Sequence, residues 1–371
     1  MSLAPPAPKV LTGRTVEGSI SARMRIDGRP YVNFFGAGYL ALSGVPEIRA
    51  AVARALEQGV PFARQLPAVH GATDPAFSAV ERAGAVACAT EASVYFSTGY
   101  LIGAVGLATL QHSYDLIVLD EHAHYSLTHA AKSSGVPTLT FAHCEPDSLR
   151  EVLQQHQQAG ARPLLLTDGV FATTGRIPPL GEYATILSSH GGKLFVDESH
   201  AFGVVGENGR GAAEYCGVSD VAVIGTTLSK AICAQGAIVG CSLDTADRVR
   251  TIPPLGAACA GSPLSAVAAT ASLAYVSQHP ALRKNLRATT EYLRTQLRTL
   301  GLETLESPAP IVSFQYGSRA DMQALQRRAF ERGLYIHYST YIGAGPEGII
   351  RCAVFRDHTR EDVDSLLDVL R

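Results

Sequence analysis

A chain of 371 residues with 46% hydrophobic and 17% charged residues is too long for one small core and too apolar to be disordered. Its 31 Lys and Arg against 33 Asp and Glu leave a formal charge of −2, so no basic face is implied and nucleic acid is excluded as a partner. The seven cysteines are scattered singly, which argues against a disulfide framework or zinc knuckle and for a reducing, cytoplasmic setting.

Taken in chain order, residues 1–32 read as an arm with a short hairpin, and the start lacks the apolar core of a signal peptide. From about 80 to 240, short apolar runs alternate with helical patterns. The predicted strands are Val94–Phe96, Leu116–Leu119, Thr138–Phe141, Pro163–Thr167, Leu194–Asp197 and Val221–Gly225. None alternates strictly, as expected of strands covered on both faces. The uncharged stretches Ala92–Tyr114 and Ile252–Leu282 carry Gly or Pro and several hydroxyls, so they read as buried helices with entry loops rather than membrane spans. Leu282, Leu286, Leu293, Leu297 and Leu300 then mark one long amphipathic helix. Strands follow at Ile311–Phe314, Leu334–Tyr338 and Ile349–Val354. The last helix opens at Thr359 with Asp362 three residues on, in the manner of a capping box. The pattern predicts an α/β fold: an arm over 1–40, a large domain with a mostly parallel sheet over 41–265, and a smaller α+β domain over 266–371.

Four short segments carry chemistry. In Val221-Ala-Val-Ile-Gly-Thr-Thr-Leu-Ser-Lys230 a buried strand ends in hydroxyls and a lysine. A lysine at a strand's carboxyl end, partly desolvated, can serve as nucleophile and base. Taken singly, it reads as a surface lysine opening a helix. Leu194-Phe-Val-Asp-Glu-Ser-His200 ends in Asp197 and His200. A carboxylate there can keep a pyridine nitrogen protonated. The competing reading, a helicase-like ATPase strand, needs a GxxxxGK[ST] loop that the chain lacks. Val94-Tyr-Phe-Ser-Thr-Gly-Tyr100 leads through Thr98 and Gly99 into a helix whose first amides can bind phosphate, or form an ordinary tight turn. Asp120-Glu-His-Ala-His124 offers an imidazole that can stack on a flat ring, with His122 and His129 nearby as structural alternatives.

The order of these segments, and above all Asp197-Glu-Ser-His-Ala-Phe-Gly-Val-Val-Gly-Glu-Asn-Gly-Arg-Gly-Ala-Ala-Glu214, resembles the α-oxoamine synthases, a family of acyltransferases dependent on pyridoxal 5'-phosphate (PLP). The resemblance runs from about Asn33 to the C-terminus. It implies the aspartate-aminotransferase-like fold (fold type I), a homodimer, and condensation of an amino acid with an acyl thioester, on CoA or a carrier protein, with loss of carbon dioxide. It implies that Lys230 holds PLP as a Schiff base and later moves protons. Asp197 then pairs with the ring nitrogen, His200 meets the phenolic oxygen and His124 stacks on the ring. Thr98, Thr227, the amides of Gly99 and Tyr100, and Ser262 of a neighbouring subunit hold the phosphate, and Arg351 grips the amino-acid carboxylate. The chain departs from the family over Arg64–Asp74, at Gly38 and Gly103, and at Ala172 in Thr167-Asp-Gly-Val-Phe-Ala172. These positions are expected around substrate and cofactor. They keep open another PLP reaction on the same fold, transamination or aldol cleavage. A non-catalytic partner subunit would lack the lysine.

Overall fold

The computed structural model describes residues 10–64, 70–71, 73–156, 160–257 and 261–371. Part of the 64–74 departure (65–69 and 72), the first nine residues and Cys259 lie outside them. At the N-terminus run β1 (Val16–Glu17), β2 (Arg23–Ile26) and β3 (Arg29–Asn33). The β2–β3 hairpin turns on Asp27-Gly28, both at positive φ, the backbone that matches the twist of its strands. The arm is tied down: β3 pairs in parallel with a two-residue strand, Leu334–Tyr335, near the other end of the chain.

The central sheet has seven strands: β4 (Ala92–Phe96), β5 (Leu116–Asp120), β6 (Thr138–Phe141), β7 (Pro163–Asp168), β8 (Lys193–Asp197), β9 (Ala222–Thr227) and β10 (Ala237–Cys241). Their order is β4-β10-β9-β8-β7-β5-β6. Every neighbouring pair is parallel except those of β10, which runs antiparallel to both β4 and β9. Side chains alternate between two cores. Val118, Leu165, Val196 and Ile224 enter one, which runs on into the C-terminal region. Ile117, Leu119, Leu166 and Phe195 enter the other. Burial on both faces explains the unbroken apolar runs.

The strands predicted for this sheet all form, with ends at most two residues from the expected ones. The sheet also contains β10, which the sequence reading passed over. Ala237-Ile-Val-Gly-Cys241 follows β9 without an intervening helix, so strand–helix alternation does not announce it. The second sheet is antiparallel, in the order Ile311–Phe314, Ile349–Ala353, His337–Ser339. The expected strand Leu334–Tyr338 is split at Ile336: its first half joins the N-terminal sheet, its second half this one. The long helix spans Ala281–Thr299, burying Leu286, Leu293 and Leu297. The last helix, Arg360–Leu370, carries the capping box between Thr359 and Asp362. Among the described residues no helix is long and apolar enough to cross a membrane.

Candidate active site

The carboxyl ends of the parallel strands bring the chemical segments together, as open α/β sheets do with their ligand sites. β7 and β8 end side by side in Asp168 and Asp197, which are register partners. Both carboxyls are buried, and Asp197 caps its own turn by accepting from the Ser199 amide at 3.0 Å. Burial, then the neighbouring Asp197, pushes the Asp168 carboxyl well above the usual range. Asp168 also accepts from the His124 backbone amide at 2.9 Å, so it holds the entry to the helix Tyr125–Ser133.

Lys230 emerges three residues after β9 and is half-buried. Desolvation lowers its pKa to about 8, against the opposing pull of Asp197 and Asp168. His124 caps its helix, with Nδ1 accepting from the Ser126 amide at 3.2 Å and lying 2.7 Å from the Ser126 hydroxyl. Burial, then Lys230, lowers its pKa, so the ring is neutral at pH 7, as suits a flat stacking surface. The other two histidines have structural partners: His122 lies against the His143 ring and His129 pairs with the Tyr100 hydroxyl.

Thr98 caps the short turn Gly99–Leu101, which leads into the helix Ile102–Thr109. A Cβ on Gly99 would stand 2.7 Å from the Thr227 Cβ, so the turn and the end of β9 meet closely enough that only glycine fits. Thr227 itself bonds to the Ser229 hydroxyl at 2.8 Å. Ser262 caps the helix Pro263–Gln278, and the loop before it borders the same turn: a Cβ on Gly261 would lie 3.6 Å from the Ser97 Cα.

Arg351 arrives from the second sheet. It is buried, yet no carboxylate of a described residue lies within ion-pair distance; its bonds go to Ala172 O at 2.7 Å, Gly36 O at 3.3 Å and the Tyr39 hydroxyl at 3.4 Å. Arg351 and His200 line one cavity of about 470 Å³, together with Phe35, Tyr125, Tyr338 and Tyr341. His200 is buried, its pKa driven well below the usual value by desolvation, then by Lys230 and Arg351.

Two residues at this centre escaped the sequence reading. Asp168 carries the same signal as Asp197, an acid ending a buried strand, and could have been found by it. Tyr39 stands in Gly38-Tyr39-Leu40-Ala41, beside a departure from the family but given no role; it sits in a loop far away in sequence, and the fold brings its hydroxyl to His200 Nδ1 at 2.7 Å. The departures divide. Ala172 lines the cavity and offers its carbonyl to Arg351. Gly103 is tightly packed against the helix that follows His124: a Cβ there would meet Ala130 Cβ at 2.8 Å and Ser126 O at 2.9 Å. Gly38 is equally confined, 2.9 Å from Ile20 O by the same measure.

Residues 36–370 match the family model for aminotransferase class I and II. The chain is 29% identical over 374 residues to the 8-amino-7-oxononanoate synthase of Geotalea daltonii, covering 96% of this chain and 92% of that one. The structure superposes on the serine palmitoyltransferase of Sphingomonas wittichii with a TM-score of 0.91 at 25% identity, covering 98% and 92% of the two chains. It also superposes on SPT with its PLP internal aldimine, with a TM-score of 0.89 at 23% identity over 97% and 91% of the chains.

Proposed function

Because the chain belongs to the aminotransferase class I and II family, on its α-oxoamine synthase branch, we propose that it condenses an amino acid with an acyl thioester on PLP, with loss of carbon dioxide. The observation that carries this reading is the convergence at the strand ends of a lysine of lowered pKa, two buried carboxyls and a buried arginine that has no acidic partner among the described residues. The residues fit PLP. A phosphate suits the amides of Gly99 and Tyr100 with Thr98 and Thr227, where a Cβ on Gly99 would close the space. An aldehyde carbon suits an amine that loses its proton near neutrality. A pyridine nitrogen suits Asp197.

When bound, PLP withdraws electrons from the bonds at the substrate's α-carbon. The remaining work falls to this chain. Arg351 binds the amino-acid carboxylate through its planar fork. The neutral His124 ring would stack on the cofactor's ring and keep water from that face. Lys230 takes the α-proton and returns it, which its lowered pKa permits at neutral pH. Asp197 keeps the ring nitrogen protonated, and His200 donates to the phenolic oxygen. Ser262 completes the phosphate site across a homodimer interface. Residues 41–265 form the cofactor domain, 266–371 the smaller domain and 1–40 the arm. The free cysteines of the described residues suit a cytoplasmic location.

A product assay decides the reaction. Purified protein loaded with PLP and given a panel of amino acids and acyl thioesters, on CoA and on carrier protein, is expected to release free thiol and carbon dioxide in equal amounts. Consumption of an oxo acid with no thiol released would instead make it an aminotransferase.

A further inference from the structure

Tyr39 is fully buried, and its hydroxyl lies between two groups of the proposed site: 2.7 Å from His200 Nδ1 and 3.4 Å from Arg351 Nη2. Hydrogen-bond directions follow from what each group can do. A guanidinium only donates, and a phenol has one proton to give. The Tyr39 oxygen therefore accepts from Arg351 and sends its proton to His200 Nδ1. With Nδ1 accepting, the single N–H of a neutral imidazole sits on Nε2. The opposite arrangement, with Nδ1–H donating to Tyr39, would give the oxygen two donors and leave the phenol proton without an acceptor in a buried space, which costs about 1–3 kcal/mol. The neutral state is the one the surroundings favour, since Lys230, Arg351 and His124 all oppose a charge on this ring. His200 Nε2 makes no hydrogen bond to a described residue, and the ring lines the same cavity as Arg351.

We propose that Tyr39 is a positioning residue that fixes His200 in its Nε2–H form and couples that form to Arg351, so that a carboxylate held by Arg351 is felt at Nε2. The arginine contact, at 3.4 Å, is the weaker of the two and so the adjustable end. A bound carboxylate polarises the guanidinium, which changes what it donates to the hydroxyl, and the hydroxyl in turn changes its bond to Nδ1. The first half of the proposal, the tautomer, stands on geometry alone. The second half rests on the functional reading, because it assigns the carboxylate to Arg351.

The test is nitrogen NMR on protein labelled at its histidines, with the His200 signals identified by their loss in His200→Gln. In wild-type protein, free of cofactor, Nδ1 is expected at the position of an unprotonated, hydrogen-bonded nitrogen and Nε2 at that of a protonated one. In Tyr39→Phe the two nitrogens are expected to average toward a tautomer mixture. In the PLP-loaded protein, adding an amino-acid substrate is expected to move the Nε2 signal in wild type but not in Tyr39→Phe. The amino acid's dissociation constant is expected to rise about threefold to tenfold in the variant, as for loss of one hydrogen bond. A protonated Nδ1 in wild type overturns the proposal, and so do identical spectra and affinities in the two proteins. If Tyr39→Phe does not fold, the wild-type tautomer decides alone. If the predicted tautomer is found but no amino acid binds either protein, the functional reading fails while the tautomer assignment holds.

Discussion

At the scale of single residues, the site is governed by where charge is disfavoured. The Lys230 amine has its pKa lowered to about 8 by burial, whereas in the unfolded chain it titrates near the model value of 10.5. Between these values the unfolded state carries the extra proton. The buried ammonium therefore destabilises the fold below about pH 8, and the penalty lifts as pH rises toward 10.5. The same shift sets reactivity: at pH 7 about a tenth of the lysine is free amine, and at pH 9 about nine-tenths. Loading of PLP onto cofactor-free protein, followed by its visible absorbance, is expected to quicken about tenfold between pH 7 and pH 9, whereas a model amine of ordinary pKa treated alike quickens about a hundredfold. A rise of about a hundredfold in the protein as well would refute the lowered pKa, and pyridoxyl label on Lys193 after borohydride would refute the lysine itself. At the other end of the site, Arg351 makes one bond through Nε and one through each Nη, and all three acceptors are neutral. An ammonium on a flexible stem cannot keep those contacts and also hold a carboxylate at two points. Arg351→Lys is therefore expected to weaken amino-acid binding at least about tenfold, the scale of losing a charge-assisted contact, with PLP occupancy unchanged. Spectral titration of the loaded enzyme with amino acid measures this, and equal affinity in the two proteins would reduce Arg351 to a structural residue.

At the scale of elements, the glycine-rich stretch after β8 owes its shape to two acids, one of them fully buried. Glu198 is fully buried and accepts from the amides of Ala212 and Ala213 at 2.8 and 2.7 Å. Glu214 gathers the amides of Asn208 and Arg210. Cβ atoms on Gly169 and Gly211 would stand 2.4 and 2.3 Å from the Glu198 carboxyl, so these glycines are the space the acid occupies. This is why the sequence of 197–214 was so informative: its acids and glycines are mutually required, and together they hold the turn after Asp197. Strand ends were readable for a similar reason, since a charge closing an apolar run marks the edge of a sheet. β10 and Tyr39 were not, because a small-residue strand after a loop and a buried hydroxyl distant in sequence leave no periodic mark. The Glu198 carboxyl has its pKa raised from 4.5 to about 8 by burial, against the lowering effect of its two amide donors. A raised carboxyl means that the folded state holds the proton between about pH 4.5 and 8 while the unfolded state has released it. Stability from this group is thus present at low pH and lost as pH climbs through that window. In Glu198→Gln that dependence is expected to vanish. Melting temperatures from pH 5 to pH 8 should fall in wild type and change less in the variant, and parallel curves would show that Glu198 is ionised throughout.

At the scale of the whole molecule, a single chain leaves its reaction centre open. Tyr100, Tyr125 and Tyr341 stand around the proposed site and are 49%, 48% and 39% exposed. Moving a proton to and from carbon, and holding a carboxylate on a guanidinium, are both strengthened where water is kept out. One chain with three half-open tyrosines at the mouth does not keep it out. Gly261, next to Ser262, borders the turn proposed to bind phosphate, and the helix Pro263–Gln278 that follows has no charged residue. That helix packs on the helices Pro46–Glu57 and Pro75–Cys88 of its own chain, and the uncharged, half-buried residues that remain suit a surface covered by a second copy. The expected assembly is a homodimer that places the two sites against the shared interface and buries about 2,000 Å² or more, the range of obligate dimers. Light scattering should give the mass of two chains at every concentration at which the enzyme is active, and activity per chain should fall on dilution together with the dimer. A monomer that turns over at full rate would show that one chain closes its own site.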